Sequence, residues 1–156
     1  MRAAGYHRYA REFLGAYESF VQHDSGFTPV PYFLVGHAIE LAFKSYLVAR
    51  GNKKEVLKKG LGHHLIKSLN KAEREGIGSF VSITETEKAL IASIDAYYHE
   101  KNLEYFERLD LIVEPAKLPS LNELGEVARK LIVALEPAVM NAATSGKIGP
   151  DGLPCS

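Results

Sequence analysis

The chain has a single cysteine, Cys155, among its 156 residues, so no intrachain disulfide can form and a reducing cytoplasm is the expected setting. It has no surplus of either charge, since nineteen basic residues balance nineteen acidic ones. A generic nucleic-acid binder carries a basic excess, so a role of that kind would have to rest on a local patch. No long apolar run is free of polar groups. The longest, Tyr32 to Val48, is interrupted by His37, Glu40 and Lys44. A spanning helix needs about 20 mostly apolar residues, so this stretch is expected in a core rather than a membrane. The opening residues M-R-A-A-G-Y-H-R-Y-A-R-E lack the apolar stretch of a signal peptide. A phosphate-binding glycine loop, a dinucleotide fingerprint and an internal repeat are also missing, and no cofactor is expected. No segment alternates with period two for long enough to make a strand; Val81 to Ile83 and Leu111 to Val113 are only β-like fragments.

Helical spacing fills the space these absences leave. Tyr6, Tyr9, Ala10, Phe13, Tyr17, Phe20 and Val21 recur at three and four and predict an aromatic stripe on a first helix ending near Gln22. Pro29 and Pro31 suit the first turn of a second helix, which runs to about Arg50 and stops at Gly51-Asn52. Lys53 to Lys59 predicts a short helix broken by Gly60 and Gly62. A further helix opens near His63 or His64, turns Leu65, Leu69 and Ala72 inward and closes at Gly76 and Gly78. Thr84 and Glu87 make a capping box before the stripe Leu90, Ile91, Ile94, Tyr97 and Tyr98. Asn102 to Leu118 is less regular. Ser120 and Glu123 make a second capping box before Leu121, Leu124, Ala128, Leu131 and Leu135, and Pro137 is expected to kink or end that helix. The expected fold is all-α: one up-down helical bundle over residues 1–143, of four long helices plus a short helix, with a Gly/Pro-rich tail over 144–156.

Polar residues within this pattern mark the candidate site. His37, Glu40 and Lys44 stand at i, i+3 and i+7, on one face of the second helix. They can contact a ligand, or serve as a polar seam that fixes helix register. His63 and His64 lie at a predicted helix start, where free N–H groups attract anions. Around them Arg50, Lys53, Lys54, Lys58, Lys59, Lys67 and Lys71 outnumber the one acid, Glu55. Such a run either receives a phosphate or is simply a solvated lysine-rich loop. Tyr97 and Tyr98 can stack on a base, although their spacing also fits core packing. A metal could draw on His37, Glu40, His63 or His64 with His99 or Glu100. Paired E-x-x-H motifs on two helices are missing, however, and no metal is expected.

Three pieces of the chain resemble the HEPN family, the higher eukaryote and prokaryote nucleotide-binding domains. His37-Ala38-Ile39-Glu40-Leu41-Ala42-Phe43-Lys44-Ser45-Tyr46-Leu47 is similar to the family's H-x-x-E-L-x-x-K-x-x-L helix. Gly62-His63-His64-Leu65 is similar to its G-H-x-L, and Tyr97-Tyr98 through Leu103-Glu104-Tyr105-Phe106 to its tyrosine-rich helix end. The resemblance implies a helical bundle, often a homodimer, from toxin–antitoxin, defence or nucleotidyltransferase-associated systems. Many members are ribonucleases with an R-x4–6-H motif near the start of the last long helix. Here neither Arg108 nor Arg129 has a histidine after it, and the one formal match, Arg2 to His7, lies on the wrong helix.

The expectation is therefore a non-catalytic HEPN-like domain that binds a nucleotide, RNA or a partner protein such as a nucleotidyltransferase. Its ligand-binding residues would be His37, Glu40, Lys44, Lys53, Lys58, His63, His64, Tyr97 and Tyr98. The alternatives are a divergent ribonuclease using these histidines with an arginine such as Arg108, and a structural bundle within a larger complex.

Overall fold

The structure, a computed structural model, describes residues 2–23, 28–99 and 118–145. Among these residues it is all-α, with six helices, one 3-10 turn and no strand. The helices are α1 (Ala3–Val21), α2 (Val30–Ala49), α3 (Lys54–Leu61), α4 (Leu65–Arg74), α5 (Glu85–Tyr98) and α6 (Leu121–Ser145), with the 3-10 turn at Ile77–Ser79. The fragment Val81 to Ile83 is an irregular lead into α5. Leu111 to Val113, Glu100, Tyr105, Arg108 and 146–156 lie outside the described residues.

An apolar helix has to be covered on every side, and α2 is. Val35, Ala38, Ile39, Ala42, Phe43, Tyr46 and Leu47 are all fully buried. The helix packs against α1, α4, α5 and α6. Each large apolar side chain enclosed in this way contributes roughly 1.5–3 kcal/mol. Three buried tyrosines then fasten helix ends to the core. Tyr17 donates to the Leu121 carbonyl at 2.8 Å, Tyr32 to Pro119 at 3.0 Å and Tyr46 to Glu75 at 2.7 Å.

Local signals set most boundaries. The Thr84 box is reciprocal: Glu87 N–H donates to Thr84 Oγ1 at 3.2 Å, and Thr84 N–H to Glu87 Oε2 at 2.8 Å. Ser120 Oγ accepts Glu123 N–H at 3.4 Å at the start of α6.

Three expectations are corrected. On α1, Ala10 and Tyr17 of the expected stripe are buried and Tyr6, Phe13 and Val21 pack against the core, but Tyr9 is exposed, and Ala3, His7 and Leu14 complete the inward face. Gly60 does not break α3, which runs to Leu61, because Leu57 and Leu61 anchor its inner face. Pro137 does not end α6, which continues to Ser145. The helical bond Pro137 cannot make belongs to the Val133 carbonyl, on a residue that is 65% exposed, so water can replace it.

Candidate functional site

Glu40 is the centre of the site. It sits on the buried face of α2 at 1% exposure, and a carboxylate so enclosed needs several donors. It has four. Lys44, one turn on, donates to Oε1 and also to the Gly62 carbonyl at 2.8 Å. Tyr98 from the end of α5 donates its hydroxyl to Oε2 at 2.5 Å. His63 Nδ1 reaches the same oxygen at 3.2 Å, and His37 Nδ1 lies 3.4 Å from it. His37 Nδ1 is also 2.6 Å from the Tyr98 hydroxyl.

The proton directions follow from chemistry. A carboxylate only accepts, so the Tyr98 proton points to Glu40, and each nearby Nδ1 carries an N–H. The lone pair of each neutral imidazole is then on Nε2, on the far side of the ring from Glu40. Burial alone would raise the Glu40 pKa. The hydrogen bonds from His37 and His63, with the charge and hydrogen bond of Lys44, outweigh burial and hold it well below the usual carboxylate range.

Two glycines make this convergence possible. A Cβ on Gly36 would sit 2.9 Å from Tyr98 Cδ2, so only glycine lets the Tyr98 ring lie against α2 with its hydroxyl on Glu40. Gly62 turns the chain at φ +55 and ψ −123, a conformation suited to glycine. That turn aims its carbonyl at Lys44 and places His63 against Glu40. Phe13 meets the His37 ring edge-on at 4.4 Å, and Phe33 stacks on it at 5.6 Å, so the imidazole is gripped on two sides.

Beside the network lies a cleft of about 430 Å³ lined by Tyr6, Lys44, Lys54, Leu57, Lys58, Gly62 and His63. Lys54 and Lys58 are one turn apart on the exposed face of α3, and neither makes an ion pair among the described residues. Tyr6 is half-buried; burial first, then Glu40 and Glu55, raises its pKa, so its phenol stays neutral and able to donate.

Of the residues singled out in the sequence, His37, Glu40, Lys44, His63 and Tyr98 come together, and Lys58 borders the cleft. Lys53 is the exposed residue before α3 and does not line the cleft, where Lys54 stands instead. Tyr97 is half-buried and packs against the core. His64 does not join Glu40: its ring stacks on His99, with centroids 4.1 Å apart. Burial first, then His99 and Lys67, lowers the His64 pKa. The metal set considered around Glu40 is therefore not assembled, since both Glu40 oxygens already accept hydrogen bonds and His64 and His99 lie elsewhere. Tyr6 and Gly36 were missed, and Lys54, named in the basic run, was left out of the expected ligand-binding set. Only Lys54, as the i−4 neighbour of Lys58, carried a readable signal.

Among the described residues no helix is long and apolar enough to cross a membrane. Comparison of the chain with family models, curated proteins and solved structures finds no match.

Proposed function

We propose that this chain is a HEPN-like domain that binds the phosphate of a nucleotide or of RNA in the cleft beside His63, without cleaving it. The observation that carries this reading is the meeting of Lys54, Lys58 and His63 with Tyr6 around one open cleft. The charge of Lys44 is offset by Glu40, so Lys54 and Lys58 supply the positive potential. The Tyr6 ring offers a face for a base, and its neutral hydroxyl offers a donor to phosphate oxygen. Glu40 fixes the ring orientation of His63 at the cleft wall. A homodimer, a nucleotidyltransferase-type partner and a toxin–antitoxin or defence setting are part of the same proposal and come from the resemblance; a cytoplasmic location joins it on the strength of the single cysteine, Cys155.

Anisotropy of a labelled oligoribonucleotide, titrated at several salt concentrations, tests this. With two or three phosphates neutralised, log K should fall against log salt with a slope of about −1.4 to −2. Lys54→Ala/Lys58→Ala should weaken binding tenfold or more and flatten the slope. Absent binding, or binding that the double variant leaves unchanged, would refute the reading.

A second reading, a divergent ribonuclease, has one observation in its favour. A single carboxylate orients two imidazoles, which is the form of a general acid–base pair. Cleavage of a mixed RNA pool by the purified chain, abolished in His37→Ala and in His63→Ala, would favour it over binding alone.

A further inference from the structure

Two pairs of adjacent residues are divided between two clusters. His63 and Tyr98 face Glu40, whereas their neighbours His64 and His99 turn away and stack on each other at 4.1 Å and 26°. Asp95, one turn before His99 on α5, joins them. It is 9% exposed, and its Oδ1 accepts the N–H of Leu65, the first residue of α4, at 2.6 Å.

One donor atom from each of His64, Asp95 and His99 lies within 4.8 Å of the other two. Three points so spaced all fall within about 2.8 Å of a common centre, against metal–ligand bonds of about 2.0–2.2 Å for histidine and carboxylate. Small side-chain rotations, each moving a donor about 0.7 Å inward, close that difference. His99 Nδ1 lies against the Asp95 carbonyl and donates to it. The backbone carbonyl thereby orients the ring, as outer partners orient ligand histidines, and holds Nδ1 4.0 Å from Asp95 Oδ1. Two imidazoles and one carboxylate suit a zinc-type ion, whereas calcium and magnesium prefer oxygen donors.

We propose that His64, Asp95 and His99 bind one divalent zinc-type ion, with water completing its coordination. Bound there, the ion ties the start of α4 to the end of α5. It thereby braces the two segments that deliver His63 and Tyr98 to Glu40, and so has a positioning role toward that network.

Calorimetric titration of the untagged chain with zinc chloride, with cobalt(II) absorption as a second probe, tests the site. One ion per chain is expected in the wild type. His64→Ala and His99→Ala should each weaken binding tenfold or more. Asp95→Asn keeps a carbonyl oxygen for the Leu65 N–H and so preserves the fold, yet should also weaken binding. His23→Ala, at the exposed end of α1, should leave it unchanged. Added zinc should raise the melting temperature of the wild type but not of the His64 and His99 variants. Absence of stoichiometric binding, binding that survives His64→Ala and His99→Ala, or binding lost only when His37 and His63 are replaced would overturn the proposal.

Discussion

Glu40 and His7 are both ionisable, both almost fully enclosed, and handled in opposite ways. Glu40 keeps its charge because Lys44, Tyr98, His63 and His37 surround it with donors. His7, on the face of α1 turned toward α6, is 5% exposed, and neither ring nitrogen has a hydrogen-bond partner among the described residues. Its pKa is lowered, by burial first; Glu136 opposes this and Arg11 adds to it. One bundle thus buries a charge by building a network around it, and a second polar group by leaving it neutral. The difference shows where polar specificity is concentrated: at the junction of α2, the α3–α4 turn and the end of α5.

That contrast can be broken most severely at Glu40. Glu40→Ala leaves Lys44 without its partner in a largely enclosed site, and a loss of about 3–5 kcal/mol is expected in urea unfolding. Tyr98→Phe removes one hydroxyl that bonds both Glu40 and His37, with an expected cost of about 1.5–3 kcal/mol. Gly36→Ala drives a methyl into the Tyr98 ring, and overpacking of this kind costs about 1–3 kcal/mol. A double-mutant cycle with Tyr98→Phe should show coupling, because both changes act on the same ring. His7→Leu should instead be neutral or stabilising, by about 1 kcal/mol, since it removes a desolvated polar group that has no partner. A loss comparable to that of Glu40→Ala would erase the contrast.

Acid separates the two residues again. The Glu40 pKa is held below its ordinary 4.5, so the unfolded chain binds the proton first. The stability Glu40 confers is therefore complete above about pH 4.5 and is lost as pH falls further. The His7 pKa is lowered from 6.5, so here too the unfolded state protonates first, and stability falls as pH drops through that value. The advantage of His7→Leu over wild type should grow between about pH 7.5 and about 5.5, whereas the deficit of Glu40→Gln should shrink only in stronger acid. Urea midpoints from about pH 7.5 down to well below about pH 4.5 provide the check.

The legibility of the site follows the reach of each signal. His37, Glu40 and Lys44 were placed on one face by helical spacing alone, because that period is local. Capping chemistry located the start of α5. Apolar spacing assigned Tyr98 to the core, which is correct for its ring but silent about its hydroxyl, whose partner is 58 residues away. Gly36 carried no local mark, since its purpose is the ring of Tyr98 on another helix. His63 and His64 read as a pair, yet the backbone rotates between the Gly62 turn and the first turn of α4 and sends them to different clusters. His7 lay outside the apolar stripe read from the sequence, yet it is part of the buried face of α1.

The most direct measurement is the tautomeric state of the histidines by two-dimensional proton–nitrogen NMR of the labelled chain, at a pH where the rings are neutral. If one carboxylate fixes both imidazoles, His37 and His63 will each show the proton on Nδ1 and the bare nitrogen at Nε2, and Glu40→Gln will disturb both together. A bare Nδ1 on either ring, or rings that ignore Glu40→Gln, would contradict the Glu40-centred site.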